Sequence, residues 1–270
     1  VSVAFLGGGN MARALVGGLL ARGFEAASIA VAEKDAAQRE RLARAHPVRV
    51  CAQAVQALAG ADTLIVAVKP QDLRAALAPL AGRLAGVLVV SIAAGARVAD
   101  LGRWLGGHRR IVRAMPNTPA LVGAGVTALW APLEVDEAGR ARAEQVLGAI
   151  GRVLWVEREA LMDAVTAISG SGPAYVFWLI EQLAAAGERM GLAKQTAAVL
   201  ALETVAGAAR LAVASGESPA VLRAGVTSKG GTTEAALRVF EEERLAERFA
   251  RALEAARSRG VELGEALGRE

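Results

Sequence analysis

Between an apolar run, Val1 to Leu6, and an alanine-rich stretch at helical spacing, Met11 to Arg22, the chain carries Leu6-Gly7-Gly8-Gly9-Asn10-Met11-Ala12. A glycine-rich turn that leaves a strand and opens a helix constrains the fold strongly, and here it matches G-x-G-x-x-A in the required context. Gly7 permits the tight turn, Gly9 lets the backbone approach a pyrophosphate, and Ala12 allows close packing of helix on strand. The helix N-terminus then faces the negative charge. Glu33, an ionisable residue about 20 residues past the fingerprint, completes the spacing. A lone glycine triplet would mark only a structural turn; strand, helix and Glu33 together point to a bound dinucleotide.

The pattern after this motif agrees. Short β-branched runs (Val1 to Leu6, Ser28 to Ala32, Val48 to Val50, Thr63 to Val68, Val87 to Ile92, Arg110 to Met115, Gly125 to Trp130, Arg152 to Val156) alternate with helical stretches. Those stretches are Met11 to Arg22, Ala36 to Ala45, Leu73 to Leu84, Val98 to Leu105 and Glu137 to Ile150. Such alternation predicts βαβ units and a largely parallel, doubly wound sheet. After Glu157 the strand signal fades and long Ala/Leu helices follow: Ala160 to Ile168, Ala174 to Met190, Lys194 to Ser215, Pro219 to Ala224, Thr233 to Phe240 and Leu245 to Leu267. The expected fold is α/β, a Rossmann-type dinucleotide-binding domain over residues 1–157 and an all-helical domain over residues 158–270. Residues 197–214 are apolar on more than one face, which predicts burial in a bundle shared between chains, unless neighbouring helices of the same chain cover them.

Composition narrows the function. Of 270 residues, 31 are Lys or Arg and 27 Asp or Glu, a net charge of +4, and arginines alternate with acids as in Gln38-Arg39-Glu40-Arg41. No basic stripe interleaved with aromatics suggests a nucleic-acid partner. Cys51 is the only cysteine, which excludes an internal disulfide or thiolate cluster, fits a reducing, cytoplasmic setting and reads as a small buried side chain. No metal site is expected. The uncharged stretches 114–133 and 164–180 are interrupted by Pro and Gly, and no basic region precedes the first apolar residues, so neither a membrane span nor a signal peptide is expected.

In doubly wound sheets the ligand lies outside the carboxyl ends of the strands. There stand Ala67-Val68-Lys69-Pro70, Ser91-Ile92-Ala93-Ala94-Gly95 and Met115-Pro116-Asn117-Thr118-Pro119, small residues and stiff turns that suit a flat ring or serve simply as well-formed βα turns. Glu33 and Lys34 conflict: an acid at the end of the second strand accepts the ribose hydroxyls of NAD, a cation suits the 2′-phosphate of NADP. A second signal is Val226-Thr227-Ser228-Lys229-Gly230-Gly231-Thr232-Thr233-Glu234-Ala235-Ala236-Leu237, a hydroxyl-rich Gly-Gly turn running into an amphipathic helix. Its N–H groups and hydroxyls suit a small carboxylate at a helix N-terminus; the plainer reading makes Thr232 or Thr233 an N-cap.

Over essentially its whole length the chain resembles pyrroline-5-carboxylate reductases. The matching pieces are Gly7 to Ala12, Ala67 to Pro70, Ser91 to Gly95, Met115 to Pro119, Ser169-Gly170-Ser171-Gly172-Pro173-Ala174-Tyr175 and Val226 to Leu237. The resemblance implies reduction of 1-pyrroline-5-carboxylate to L-proline by NAD(P)H, with NADPH the expected donor and NADH the alternative. It implies a homodimer formed through the helical domain, often assembled further into a decamer, a pentamer of dimers. It further implies that Asn10, Met11, Lys69 and the Ala93-Ala94 turn line the cofactor. The loop of Thr227, Ser228, Gly230, Gly231, Thr232 and Thr233 would hold the substrate carboxylate and come from the partner subunit, Thr233 bonding the ring nitrogen. Hydride attack on a protonated imine needs no strong general base, and His46 and His108, read as surface-loop residues, receive no role. Two rivals remain. A 3-hydroxy acid dehydrogenase of similar layout would need a catalytic lysine soon after Gly172, where none stands before Lys194. A non-catalytic NADP sensor would bind the dinucleotide without oxidising it.

Overall fold

The computed structural model describes residues 1–269. Its first part is an alternating series: β1 (Val3–Leu6), α1 (Asn10–Ala21), β2 (Ile29–Ala32), α2 (Ala36–Ala45), β3 (Arg49–Cys51), α3 (Ala54–Leu58), β4 (Thr63–Val66), α4 (Leu73–Leu77), β5 (Leu88–Ser91), α5 (Val98–Trp104) and β6 (Ile111–Met115). β7 (Gly125–Trp130), α6 (Glu137–Leu147), β8 (Gly151–Trp155) and α7 (Leu161–Val165) complete it. The sheet runs β3-β2-β1-β4-β5-β6-β7-β8. All neighbours are parallel except β6 and β7, which pair antiparallel with Arg113 opposite Trp130. Because helices cover both faces, β1, β2, β4 and β5 are buried along their full length, which is why they read as continuous apolar runs. Val3 and Phe5 pack with Leu15, Val16 and Leu19 of α1; Ala4 and Leu6 pack with Leu73, Leu77 and Leu101 of α4 and α5.

Local chemistry sets the helix ends. Asp35 caps α2 by accepting from the Gln38 N–H at 2.7 Å, and Asp136 caps α6 through the Gly139 N–H at 2.8 Å. That bond is the main reason the Asp136 carboxyl titrates below its ordinary range. The expected helix from Leu73 to Leu84 stops at Leu77 and continues as a tight turn over Ala78–Leu80, where Pro79 has no N–H to extend it. α3 was not expected, being too short to show a period.

The remaining helices are α8 (Gly172–Arg189), α9 (Lys194–Ser215), α10 (Pro219–Gly225), α11 (Thr232–Glu242) and α12 (Leu245–Arg269). By packing the chain divides into two units: Val1–Ser171 together with the last helix from Ala256 on, and Gly172–Ala255. Arg113 of β6, its side chain 4% exposed, pairs with Asp163 at 3.2 Å and Glu159 at 3.5 Å, so α7 belongs to the sheet. After α7 comes a π-turn, Thr166–Gly170, closed by the Ser171 N–H on the Thr166 carbonyl at 2.8 Å; it packs Gly170 against the Met115 side chain.

Within the second unit α9 buries only Ala197 and Ala201 and exposes Val199, Leu200, Leu202, Leu211 and Val213. α8 likewise exposes Phe177, Trp178 and Leu183. Among the described residues α9 is also the one helix long and apolar enough to cross a membrane, and it lies outside both stretches weighed in the sequence. Cys51, expected buried, is only half-buried, its thiol donating to the Val31 and Gln53 carbonyls.

Candidate functional site

Strand order reverses between β1 and β4, the switch point at which open α/β sheets bind ligands beyond their carboxyl ends. The end of β1 is held from both sides, the Gly7 N–H donating to the Ala32 carbonyl at the end of β2 and the Ala67 N–H, just past β4, to the Leu6 carbonyl, both at 2.8 Å. Gly7 has a φ of +99°, and a Cβ on it would lie 2.7 Å from the Ala67 carbonyl oxygen, so conformation and close approach both demand glycine. Gly9 differs. Its φ is −67° and nothing lies within 4 Å of where its Cβ would be. Protein packing does not explain glycine there; space kept open above the N-terminus of α1 does, which is the fit expected for a pyrophosphate.

A cleft of about 690 Å³ opens at this point, within the size range of ligand sites, and Gly7, Gly9, Glu33, Lys34, Ala67, Val68 and Lys69 line it. Asn10, Met11, Ala12, Ala93 and Ala94 do not. Ala12 is fully buried against the sheet and Ala93 nearly so, while Asn10 and Met11 begin α1. Sequence reasoning missed the far wall: Ala52, Gln53 and Val55 at the start of α3 and Ala76 and Pro79 after β4 also line the cleft. The apolar pair Val55 and Leu58 between two strand signals could have located α3.

The contested pair after β2 is resolved in its contacts. Glu33 is 9% exposed, and its carboxylate accepts from the Gly8 N–H at 2.8 Å and the Asp35 N–H at 2.9 Å. Two of its roughly four acceptor positions are thereby used. Lys34 is exposed and pairs loosely with Asp72 at 3.4 Å. A second cation, Arg39, stands at the same strand end, donating to the Glu33 and Lys34 carbonyls at 2.9 and 2.8 Å. Of the Met115 to Pro119 turn, Asn117 is structural: it is buried and its Oδ1 accepts from the Val126 N–H at 3.0 Å.

The second unit holds the hydroxyl-rich loop. Thr227 donates its hydroxyl to the Arg223 carbonyl at 2.6 Å, and the Gly231 N–H donates to the Ser228 carbonyl at 3.0 Å. Gly231, not a threonine, is the N-cap of α11, which corrects the N-cap alternative for Thr232 and Thr233. Both lie inside the first turn, and among the described residues the half-buried Thr233 hydroxyl has no hydrogen-bond partner. One expectation changes: the Gly230 N–H, assigned to a substrate carboxylate, donates to the Glu234 carboxylate at 2.7 Å. The N–H groups of the first helical turn have no intrahelical acceptor, so Thr232 and Thr233 keep theirs available.

Neither histidine sits on a plain surface loop as expected. His46 ends α2 half-buried. His108 is half-buried with its Nε2 enclosed and without a partner among the described residues. Burial is the main cause that holds both imidazoles below their ordinary pKa.

Comparison with known proteins adds the following. Residues 159–263 match the model of pyrroline-5-carboxylate reductase dimerisation, and residues 2–95 that of NADP oxidoreductase, coenzyme F420-dependent. A pyrroline-5-carboxylate reductase of Pseudomonas aeruginosa is 46% identical over 267 residues, 98% of each chain. Among solved structures, a pyrroline-5-carboxylate reductase from Coxiella burnetii superposes with a TM-score of 0.92 at 41% identity, covering 97% of this chain and 98% of that one. The Plasmodium falciparum pyrroline carboxylate reductase with NADP bound gives 0.84 at 26% identity, covering 98% of each.

Proposed function

Because the chain belongs to the pyrroline-5-carboxylate reductase family, we propose a division of labour in which the first unit holds the hydride donor and the loop before α11 holds the imino acid. The protein is an NAD(P)H-dependent oxidoreductase that reduces 1-pyrroline-5-carboxylate to proline, and it is an oligomer acting on a small molecule. When bound, NAD(P)H supplies the hydride that adds to the C=N carbon, while the proton already on the nitrogen stays and makes the secondary amine.

The chain's own residues do the rest. The turn of Gly7 and Gly9 and the free N–H groups of Asn10 and Met11 hold the pyrophosphate, Ala12 lets α1 pack close on the sheet beneath them, and Glu33 and Lys34 meet the adenosine ribose. Ala67, Val68 and Lys69 form the cleft wall, and the nicotinamide half lies beyond that cleft, against the Ala93-Ala94 turn. Ser228 and the N–H groups of Thr232 and Thr233 grip the carboxylate, Thr227 fixes the loop from within, and Gly230 and Gly231, whose N–H groups are taken by Glu234 and Ser228, serve through the turn they make. Thr233 accepts a hydrogen bond from the ring N–H. Orientation and charge complementarity, not proton abstraction, then lower the barrier. The assembly is a homodimer in which the partner subunit supplies the loop, with a decamer as the higher form, in the cytoplasm.

The observation that carries this reading is the Thr233 hydroxyl, half-buried and unpartnered among the described residues, beside free N–H groups at the start of α11. NADPH absorbance with pyrroline-5-carboxylate tests it. Thr233→Ala should leave NADPH binding intact and lower kcat/KM about tenfold to a few hundredfold, roughly 1.4 to 3 kcal/mol. Thr233→Ser should recover most of the loss. A fully active Ala variant refutes the role, and NADPH binding without oxidation in the wild type would identify a sensor.

A further inference from the structure

The Ala93-Ala94-Gly95 turn follows β5, and the residue that shapes it stands far along the chain. Gly95 is buried with a φ of +77°, and where its Cβ would be lie the backbone N and Cα of Gly264 in α12, at 3.4 and 3.6 Å. In return, a Cβ on Gly264 would lie 2.9 Å from the Gly95 carbonyl oxygen. Two backbones thus touch with no side chain between them. Leu267, one turn later, is buried in the same cluster as Ala93 and Ala96. Arg103 of α5 locks the arrangement, donating to the Gly268 carbonyl at 2.8 Å while pairing with Asp100 at 3.0 Å.

We infer that Gly264 is a positioning residue for the hydride donor: by its lack of a side chain it sets the height of the Ala93–Gly95 turn on which the nicotinamide half rests. The inference depends on the proposed placement of NAD(P)H against Ala93 and Ala94. Physically, a packed interior transmits small displacements because it cannot absorb them, and a backbone-to-backbone contact has no flexible side chain to yield. A shift of a few tenths of an ångström in α12 therefore passes to the turn. Linkage requires the reverse as well: a dinucleotide that orders the turn must also order the last turns of α12.

Gly260 supplies the control, since it lies one turn earlier on the same helix and a Cβ there meets only ordinary contact, 3.8 Å from Asp163. Alanine is the better helix former at both positions, so helix propensity affects the two variants alike. In the full-length protein Gly264→Ala should raise the NADPH KM about tenfold and lower kcat, with the KM for pyrroline-5-carboxylate unchanged. Gly260→Ala should match the wild type. A Gly264→Ala protein with wild-type kinetics overturns the proposal, even if its melting temperature has dropped. Hydrogen exchange on the wild type decides the matter should Gly264→Ala fail to fold. Added NADPH should slow exchange both in residues 93–96 and in residues 260–269. Slowing at 93–96 alone overturns the role of α12, and no slowing at 93–96 overturns the cofactor placement and this inference with it.

Discussion

In the first unit β1, β4 and β5 are buried end to end and the cleft beside Gly9 is built by residues of one chain. In the second unit α9 buries two alanines and leaves Val199, Leu200 and Val213 exposed, and among the described residues the Thr233 hydroxyl has no hydrogen-bond partner. The contrast follows from how each kind of structure hides apolar surface. A βα unit covers its own strand, so a doubly wound sheet closes within a chain. A helix that is apolar on several faces needs neighbours on all of them, and α9 lies within residues 159–263, which match the dimerisation model. The first unit is therefore complete by itself and the second is not.

Replacing Leu200 with glutamate strikes the incomplete unit hardest. An unpaired charge in a covered apolar face costs about 3 to 5 kcal/mol, so Leu200→Glu should dissociate the assembly on size-exclusion chromatography and abolish imine reduction, while NADPH titration still shows binding. An active oligomer carrying that change would erase the contrast. Gly9→Val acts on the complete unit: with a side chain filling the open space, NADPH affinity should fall by roughly tenfold or more, about 1.4 kcal/mol, and assembly should be unaffected. Unchanged affinity in a folded variant would show that the space is not the phosphate's.

Smaller effects sharpen the picture within the first unit. Lys34→Ala should raise the KM for NADPH more than that for NADH, by about three- to tenfold, as one exposed charge–phosphate contact is lost. Glu33→Ala should do the reverse, and because Glu33 also holds the Gly8 and Asp35 N–H groups it should lower stability by about 1 to 3 kcal/mol; Lys34→Ala should not. Equal effects of each change on both donors would break the assignment.

The smallest effect concerns pH. Both histidines, His46 and His108, belong to the first unit. Burial depresses the His108 pKa below its ordinary 6.5, so the unfolded chain takes up a proton more readily than the folded one. The stability this gives is fully present above the unfolded pKa and is lost as pH falls through the folded value. Between about pH 8 and about pH 5 the wild type should lose slightly more melting temperature than His108→Gln. Parallel curves would remove His108 as the cause.

Several elements were legible from local pattern alone. β7 over Gly125–Trp130, α2 over Ala36–Ala45 and α9 over Lys194–Ser215 match their expected bounds, because β-branched runs, an Asp35 cap and an Ala-rich repeat are local signals. The π-turn over Thr166–Gly170 was not legible, since its packing of Gly170 on Met115 joins residues distant in sequence. The place of Glu33 just past β2 was legible, but its bond to Gly8 and the arrival of Arg39 at the same strand end were not.

The amino-acid sequence by itself determined the alternating α/β half, the helical half and the glycine turn between β1 and α1, since periodicity, caps and glycine's freedom of φ act within a few residues. Only the tertiary structure decided that α7 belongs with the sheet through Arg113, that the last turns of α12 come to rest on Gly95, and that Gly231 rather than a threonine caps α11. Those outcomes depend on which surfaces meet at atomic distance, and no local pattern encodes a contact between residues 95 and 264.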